Sequence, residues 1–448
     1  MTARWTSVSG WGGTPAARSE VHAGSTPNAV RGALLSVNDR GLIPRGLGRS
    51  YGDAAQRSGG AVVAMDGAGG VRWHDDIAGV VEAAAGATIA DLITFGEPFG
   101  WFPPVTPGTR FVTVGGAIAA DIHGKNHHVA GSFGDHLVSI ELMRSDGEVV
   151  VIDPVSDPVL FWATVGGLGL TGVVLSAQIR MIGVPGTRMA VTAYRTRDLE
   201  ATMAAMEAAD ESFDYTVSWI DLMATGSSLG RGVVTNGDHI AESGPALSDL
   251  AISVPGWWRH NLVHPAGIRV FNELWFRRAP ARPSEGVESY GAFFYPLDGV
   301  RQWNRLYGSR GFLQYQFVLP FEFEDRLPLI VERIAEAQLP VFLAVLKRFG
   351  PQGKGMISFP RAGWTLALDL PAPRLGSSVS RLLDELDDEL AEIGGRIYLA
   401  KDSRMAARHL EAMNPRLEEF RAALTEFDPS GRFESDLSAR LGITSSAA

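Results

Sequence analysis

The sequence contains no cysteine among its 448 residues. This absence excludes disulfide bonds, thiolate catalysis, zinc sites with cysteine ligands and a covalent cofactor bond through sulfur. Positive charge is also scarce, because 40 Lys and Arg residues stand against 50 Asp and Glu residues, for a formal net charge of -10. No basic stripe of the kind that contacts a phosphate backbone is present, so we expect no nucleic-acid partner.

Long hydrophobic runs are missing as well. The first residues, MTARWTSVSGWGG, lack the apolar core of a secretory signal, and no segment reaches the length that spans a bilayer. We therefore expect a cytoplasmic location by default. With 45% hydrophobic residues, the chain can still bury a large core, and its length favours two domains.

Glycine, in contrast, is abundant, with 52 residues. The stretch from Pro103 to Phe133 is rich in glycine and alanine, so its backbone can approach a large flat molecule closely. A second glycine-rich loop, Ile43 to Asp53, has the spacing G-x-G-x-x-x-G, one residue out of step with the Rossmann fingerprint. Its backbone N–H groups could hold a pyrophosphate, with charge added by Arg45 or Arg49, or the loop could be a plain surface turn. We interpret the two stretches as a cofactor cradle.

Hydrophobic patterning predicts a mixed α+β organisation for the first part of the chain. A capping pair, Thr88 and Asp91, predicts the start of a helix, and Asp146-Gly147 predicts a hairpin turn. Further predicted elements are strands at Ala61–Met65, Gly79–Ala85, Ser139–Met143, Glu148–Ile152 and Val173–Ile179 and a helix at Pro158–Val165. We place a domain boundary after residue 185, so that residues 1–185, completed by 396–448, form one domain and residues 186–395 form the other.

Alternation in the second domain predicts antiparallel strands with polar side chains on one face. In Phe312–Val318, Gln314 and Gln316 share a face. Alternation also predicts that one face of a second strand carries Val341, Leu343, Val345, Lys347 and Phe349. One face of a third strand is predicted to carry Thr365, Ala367 and Asp369. Such a face could be the floor of a pocket or a surface open to solvent. We also predict helices at Asp198–Asp210, Ser378–Ile393 and Pro415–Phe427, a strand at Tyr215–Leu222, and an irregular chain between Gly226 and Gly291.

Two local patterns leave alternatives open. His123 and His127 are four residues apart, but glycine interrupts any helix and no carboxylate completes a ligand set, so we predict no metal site. The segment Pro255–His264, followed by Phe271–Arg278, mixes aromatic and basic residues. That mixture suits a membrane interface, although the tryptophans could equally pack inward in an ordinary loop.

Several long strings together resemble one family. PRGLGRSYGD, PGTRFVTVGGAIAADIHGKNHH, FWATVGGLGLTGVV, GFLQYQFVLP and KDSR are similar to the flavin-dependent decaprenylphosphoryl-β-D-ribose oxidases of actinobacteria, which are vanillyl-alcohol-oxidase-like flavoproteins. The resemblance implies a two-domain α+β fold, with an FAD-binding domain of the vanillyl-alcohol-oxidase (PCMH) type and an antiparallel-sheet substrate domain. It also implies oxidation of a ribose 2′-hydroxyl, the first half of an epimerisation that makes an arabinose donor for cell-wall arabinan.

The resemblance assigns FAD contacts along the two glycine-rich stretches and at two later positions. These are Pro44, Arg45, Gly46, Leu47, Gly48, Arg49, Ser50, Tyr51, Gly52, Asp53, Ala54, Gly108, Thr113, Val114, Gly115, Gly116, Ala120, Asp121, Ile122, His123, Val174 and Tyr398. Many relatives carry a flavin-linked His where this chain has Arg49. We therefore expect FAD to be bound without a covalent bond.

The resemblance also assigns a substrate pocket. Its residues are Lys125, Trp219, Phe294, Gln314, Gln316, Lys347, Thr365, Ala367 and Lys401. Phe294, Thr365 and Ala367 stand where the family has Tyr, Asn and, in well-known members, Cys, which affects pocket shape and ligand preference. Tyr51, His123 and Lys401 are the candidates for handling the hydroxyl proton, and the sequence leaves the choice among them open.

The family also implies partners. We expect a polyprenylphosphoryl sugar as substrate, a quinone-type electron acceptor, an NAD-dependent short-chain reductase as partner enzyme, and peripheral contact with a membrane, by family analogy on the periplasmic face. Two alternatives stay open at this stage. One is a related sugar or aldonolactone oxidase with a soluble substrate, and the other is a flavoprotein retained for binding without turnover.

Overall fold

The computed structural model describes residues 3–37, 40–247, 252–255, 257–258 and 260–444. The strands in this part of the chain are β1 (Arg4–Ser9), β2 (Ala16–Ala23), β3 (Leu42–Arg45), β4 (Ala61–Ala64), β5 (Val71–Asp75), β6 (Val80–Ala84), β7 (Trp101–Phe102), β8 (Leu137–Met143), β9 (Val149–Ile152), β10 (Val173–Arg180), β11 (Ile182–Gly183), β12 (Arg188–Thr196), β13 (Tyr215–Ile220), β14 (Gly232–Ile240), β15 (Ile252–Ser253), β16 (Ser284–Ser289), β17 (Val300–Arg301), β18 (Phe312–Pro320), β19 (Ala344–Phe349), β20 (Gly363–Pro371) and β21 (Arg396–Ile397). The α-helices are α1 (Pro27–Ser36), α2 (Ile89–Gly96), α3 (Val114–Ala119), α4 (His127–Ala130), α5 (Pro158–Thr164), α6 (Leu199–Asp210), α7 (Pro265–Arg278), α8 (Tyr290–Phe294), α9 (Arg326–Glu336), α10 (Ser378–Glu392), α11 (Ala407–Met413), α12 (Leu417–Phe427) and α13 (Asp436–Arg440).

The first part of the chain builds two sheets around a common hydrophobic core. One sheet has the strand order β1-β2-β4-β3 and the other β5-β6-β10-β8-β9. Val63 from the first sheet, Ile140 from the second and Ile118 from α3 are all fully buried in the same cluster. Since α3 lies in the glycine-rich stretch, this core fixes the position of the predicted cradle.

Local sequence signals set several element boundaries in this region. The Thr88 side chain accepts a hydrogen bond from the Asp91 N–H, and the Asp91 carboxylate accepts one from the Thr88 N–H, so the predicted capping box starts α2. Gly147, with a φ of 83°, lies in the turn between the antiparallel strands β8 and β9, which confirms the predicted hairpin. Asp157 caps α5 ahead of Pro158.

The second part of the chain is dominated by one large sheet. Within the described residues its order is β16-β12-β14-β13-β19-β20-β18-β21. One face packs against α6, α9 and α10, and the hydroxyl of Tyr315 on β18 donates to Asp387 on α10. The alternation along β18 therefore turns Gln314 and Gln316 to the opposite face, as predicted.

Two sequence predictions in this part are wrong. The region between Gly226 and Gly291 is not irregular, because it contains β14, α7 and β16. Its polar and glycine-rich composition hides the strands, which take their stability from pairing on both sides of β12 rather than from their own propensity. Val341 does not share a face with Lys347, since β19 starts only at Ala344 and Val341 packs into the core on the helix side.

The end of the chain returns to its beginning. The Leu42 N–H, just before the first glycine-rich loop, donates to the Arg432 carbonyl. The Tyr51 N–H, within that loop, donates to the Ala400 carbonyl. The division of the chain at residue 185 stays a prediction. No helix within the described ranges is long and apolar enough to cross a membrane.

Candidate active site

The loop from Gly46 to Ala54 is packed so closely that two of its positions have no room for a side chain. A Cβ atom at Gly46 would lie 2.1 Å from Oγ1 of Thr113, and one at Gly52 would lie 1.9 Å from the Asp402 carbonyl oxygen. Thr113 caps α3 and accepts a hydrogen bond from the Gly116 N–H. The two glycine-rich stretches and the KDSR string therefore meet, as a shared cradle requires.

Arg45 and Arg49 have different surroundings. Arg45 donates to the carbonyls of Ala55 at 2.9 Å and Ser9 at 2.7 Å, so its guanidinium holds the loop together. The Arg49 guanidinium lies 4.1 Å from the centroid of the Trp11 ring, and its buried Nε has no hydrogen-bond partner within the described residues. Of the two arginines, Arg49 is the one with a donor left for an anionic group.

The carboxylates of Asp53 and Asp121 are used inside the protein. Asp53 accepts two hydrogen bonds from Arg440 on α13. Asp121 accepts from the Gly134 N–H and from the hydroxyls of Ser132 and Ser358, and burial raises its pKa to about 6. These two side chains fix the walls of the cradle. At Asp53 and Asp121, therefore, only backbone atoms remain to face a cofactor.

The other predicted FAD residues line the region where α3 meets β21 and β10. Tyr398 donates from its hydroxyl to the Ala120 carbonyl at 2.9 Å, and the Gly115 N–H donates to Ala85. Val114 and Ile122 are buried in the core beside Val174. A Cβ atom at Gly108 would meet nothing within 4 Å, so open space lies beside this backbone.

His123 lies where the cradle meets the polar face of the large sheet. Its Nε2 is 3.0 Å from Nε2 of Gln316, and its Nδ1 is 3.5 Å from Nζ of Lys347. Its ring packs against Phe349 and Tyr398. Burial, followed by the charge of Lys347, holds the pKa of His123 well below its ordinary value, so the imidazole is neutral at neutral pH.

Three lysines lie in this region, and we call Lys125, Lys347 and Lys401 the lysine cluster. The charges of Lys347 and Lys401 act on His123, and those of Lys125 and Lys401 interact with that of Lys347. Nζ of Lys125 donates to the Phe293 carbonyl at 2.5 Å, and Nζ of Lys401 lies 3.9 Å from the centroid of the Tyr51 ring. Burial lowers the pKa of Lys125 and of Lys401 to about 7 and that of Lys347 to about 8. Because the charge of Lys347 disfavours the charged forms of Lys125 and Lys401, a negatively charged ligand would stabilise the cluster.

Asp369 on β20 belongs to the same site, although the sequence analysis gave it no role. It is fully buried, its Oδ1 accepts from Nε2 of Gln314 at 2.5 Å, and its Oδ2 has no hydrogen-bond partner within the described residues. Burial raises its pKa to about 7, while Gln314 and the charge of Lys401 act in the opposite direction. The sequence signal that could have identified Asp369 is an acidic residue inside the run Trp364–Leu370, in which Thr365 is the other polar residue.

The remaining predicted pocket residues divide into two groups. Thr365 accepts from Gln316 at 3.3 Å, and Ala367 pairs with Gln316 in the strand register, so both lie on the polar face. Trp219, whose Nε1 donates to the Phe342 carbonyl, is on β13 at the same sheet. Phe294 is 2% exposed and packs among Phe102 and Tyr215, so its ring supports the pocket from behind.

The histidines after His123 make contacts with the protein. Nδ1 of His127 accepts from the Gly350 N–H at 3.1 Å, and Nε2 of His128 lies 3.1 Å from the Phe213 carbonyl. Among the described residues, no group of three or more His, Cys, Asp or Glu side chains is arranged to hold a metal ion. Both histidines thus tie the stretch after His123 to the large sheet.

These features fit an FAD molecule. The Nε of Arg49, which has no hydrogen-bond partner among the described residues, supplies a donor for an anionic group such as a pyrophosphate. The closely packed glycines at 46 and 52 keep the backbone of the cradle free of side chains. The lysine cluster and His123 lie at the junction with the large sheet, where a substrate could meet the flavin ring. The cradle and the polar face thus form one site.

Comparisons with known proteins agree with this geometry. Residues 24–153 match the family model described as an FAD binding domain. The chain is 37% identical to the decaprenylphosphoryl-β-D-ribose oxidase of Mycolicibacterium smegmatis over 97% of each chain. It is 39% identical to a protein in the mprA 5′ region of Streptomyces coelicolor, over 79% of this chain and 99% of the other. The alditol oxidase of a Streptomyces species is 24% identical over 96% of this chain and 97% of its own.

The first of these likenesses covers nearly the whole of both chains, and the family model spans both glycine-rich stretches, Ile43 to Asp53 and Pro103 to Phe133. The predictions of an FAD cofactor, of the two-domain α+β fold and of oxidoreductase chemistry are thereby confirmed. The chain belongs to the decaprenylphosphoryl-β-D-ribose oxidase family of FAD-dependent oxidoreductases, with the fold of the vanillyl-alcohol-oxidase-like flavoproteins.

Proposed function

We propose that this protein oxidises the 2′-hydroxyl of a polyprenylphosphoryl ribose to the 2′-keto sugar. The observation that carries the proposal is the 37% identity, over 97% of each chain, to an enzyme named for the decaprenylphosphoryl ribose. The lysine cluster supports it independently. The three lysines of the cluster are buried or half-buried and lie in the same site as the Asp369 carboxylate. A phosphate-bearing sugar supplies the further negative charge that complements them.

The residues of the site have separable roles in such a reaction. FAD, when bound, accepts the hydride from the carbon that carries the hydroxyl. Asp369 receives the hydroxyl proton on Oδ2, because that atom has no hydrogen-bond partner in the part of the chain that the structure describes. The pKa of Asp369, about 7, matches a base that works near neutral pH. Lys401, in its protonated form, holds the sugar oxygen in the place that its contact with Tyr51 fixes.

Tyr51 and His123 are weaker candidates for the base. Burial raises the pKa of Tyr51 well above its ordinary value, so its phenolate is hard to form. The neutral ring of His123 has both nitrogens close to donors, on Gln316 and on Lys347. We assign these two residues to positioning, with Gln314 and Gln316 connecting them to the sheet.

The wider reaction setting follows the same proposal. FAD is held without a covalent bond, since Arg49 occupies the position of the flavin-linked histidine. A quinone-type acceptor takes the electrons, an NAD-dependent short-chain reductase reduces the 2′-keto product, and the pair epimerises ribose to arabinose for cell-wall arabinan. The protein contacts a membrane peripherally because its substrate is lipid-linked.

The test is anaerobic mixing of the purified holoprotein with decaprenylphosphoryl ribose while the flavin absorbance is recorded. Rapid bleaching, with formation of a 2′-keto sugar, is the expected result. A soluble alditol is the comparison substrate, because the likeness to the alditol oxidase extends over 96% of this chain. Bleaching by the alditol and not by the lipid-linked ribose would replace the proposal with a soluble-substrate oxidase.

A further inference from the structure

One side of α7 exposes four large apolar residues, which we call the α7 ridge: Val270, Phe271, Leu274 and Trp275. Their side chains are 61%, 44%, 65% and 43% exposed, respectively. The spacing i, i+1, i+4, i+5 places them on one side of the helix. Scattered single apolar residues are ordinary on a surface, but a continuous ridge of this kind marks an interaction site.

The chain before α7 extends this apolar surface. Trp257 is 72% exposed, Leu262 is 50% exposed, and the indole of Trp258 is held by a hydrogen bond from Nε1 to the His260 carbonyl. Gly256 and Arg259, within the segment predicted to meet a membrane, lie outside the described residues. The alternative that both tryptophans pack inward does not fit the exposure of Trp257.

The charge of this region is opposite to that of the whole chain. From Ile252 to Arg282 the sequence holds five arginines and one glutamate, a formal charge of +4 in a chain of -10. Arg277 and Arg278 lie in the last turn of α7, next to the ridge. An apolar ridge bordered by arginines is complementary to a bilayer surface that carries anionic headgroups.

The opposite side of α7 is anchored in the protein. Nδ2 of Asn272, which is fully buried, donates to Oδ1 of Asp221 at 2.7 Å and to the Val341 carbonyl at 3.2 Å. Ile268 is buried in the same cluster as Tyr51. The ridge is therefore presented on a fixed support whose buried side shares a hydrophobic cluster with Tyr51.

A series of aromatic contacts connects the ridge to the site. Phe271 packs against Phe342 and Phe342 against Tyr307, each at 6.0 Å between ring centroids. Tyr307 stacks on Phe312 at 4.4 Å, and Phe312 meets Tyr51 at 5.3 Å. Tyr307, Phe312 and Tyr51 are buried, so these rings form a packed aromatic core that connects the exposed helix to the ring beneath Lys401.

We propose that the α7 ridge docks on an anionic lipid bilayer and thereby holds the protein at the surface from which a prenyl-linked substrate is taken. The proposal rests on the proposed function for the identity of the prenyl substrate. A second copy of this chain fits the ridge less well. A helix of 14 residues covers on the order of 200 Å², whereas a stable protein interface buries about 800 Å² per partner.

The experiment is co-sedimentation of the FAD-loaded protein with vesicles of phosphatidylcholine alone or mixed with phosphatidylglycerol. The parent protein should bind the mixed vesicles, less strongly as salt is added. The double variant Leu274→Glu, Trp275→Glu should bind at least about tenfold more weakly. The matched control is Ile77→Glu, Leu375→Glu, which adds the same charge at residues that are 91% and 100% exposed outside α7.

The control variant should bind vesicles almost as well as the parent does. Absence of binding by the parent, or equal weakening in both double variants, would overturn the proposal. So would a parent that is dimeric by analytical ultracentrifugation and becomes monomeric in the α7 variant without any vesicle binding. Flavin reduction by a water-soluble, short-chain prenylphosphoryl ribose separates the two proposals: it should be unchanged in the α7 variant, and its failure in the parent would count against the reaction and not against the docking surface.

Discussion

Nζ of Lys401 lies 3.9 Å from the centroid of the Tyr51 ring. Lys401 comes from the end of the chain and Tyr51 from the first glycine-rich loop, and the Tyr51 N–H donates to Ala400 next to the lysine. The contact is a cation–π interaction in a site that is partly closed to water. It fixes the ammonium group between the flavin cradle and the polar face of the large sheet.

Replacement of Lys401 by Met should lower the rate of flavin reduction by substrate about 10²-fold to 10³-fold. The reason is that a charge placed at the reacting oxygen contributes more in the transition state than in substrate binding. Anaerobic stopped-flow absorbance measures the rate, after the FAD content has been checked.

Two variants control this measurement. Lys354→Met removes an exposed lysine whose side chain is 63% accessible and should leave the rate unchanged. Lys401→Arg keeps the charge and should recover part of the rate. If Lys401→Met reduces its flavin at the parent rate, Lys401 is structural, and positioning of the sugar passes to His123 or Lys347.

Replacement of Asp369 by Asn tests the proton acceptor through the pH profile. In the parent, flavin reduction should rise with pH through about 7, as Asp369 ionises, and fall again as Lys401 loses its proton. The variant should be about 10²-fold to 10⁴-fold slower and should lack the rising limb. Because the Asp369 charge raises the pKa of Lys401, its removal should also move the falling limb to lower pH.

The matched control is Asp387→Asn. Asp387 is another fully buried aspartate, with a pKa that burial raises to about 6, but it lies on α10, which packs on the other side of the large sheet. This control should change stability without moving the pH profile. A rising limb that persists in Asp369→Asn would assign the proton to another group.

Regular alternation made much of the large sheet predictable. In β18 the period of two was enough to separate Gln314 and Gln316 from Tyr315, because a buried face constrains every second residue. The same reasoning failed between Gly226 and Gly291, where the edge strand β16 is mostly exposed and lacks a clear pattern. Tertiary pairing, which no local window contains, decides structure there.

The site was predictable where backbone shape matters and less so where side chains have competing partners. The glycines at 46 and 52 meet distant segments, as their residue type suggested. Arg45 and Asp53 in the same loop bind the protein itself, and sequence does not say which partner a charged group will find. Asp369 was overlooked as a site residue because its role depends on Lys401 and Gln314 from other elements.

The binding mode of FAD gives a third prediction. Acid precipitation of the holoprotein should leave the yellow colour in the supernatant and a colourless pellet, because Arg49 offers a hydrogen-bond donor and not a nucleophilic ring nitrogen. Denaturing electrophoresis followed by in-gel fluorescence should show no flavin on the protein band. A fluorescent band would show that the flavin is covalently bound, at a residue other than Arg49, and would contradict the prediction.

Arg440 should be among the residues on which folding of the flavin cradle depends most. Its guanidinium binds Asp53 at the end of the glycine loop and Asp402 next to Lys401, both of which are nearly inaccessible, and also donates to the Met405 carbonyl. Arg440→Met leaves two buried carboxylates without their cation, which should lower the free energy of unfolding by about 3 to 5 kcal/mol.

Urea unfolding, followed by tryptophan fluorescence, measures that loss, and Arg416→Met is the control. Arg416, which immediately precedes α12, forms a surface pair with Glu419 of that helix, and its replacement should cost at most about 1 kcal/mol. The Arg440 variant should also bind FAD more weakly, because Asp53 closes the loop that contains Gly46 and Gly52. Equal losses in the two variants would mean that the C-terminal helix α13 is not what holds the glycine loop in place.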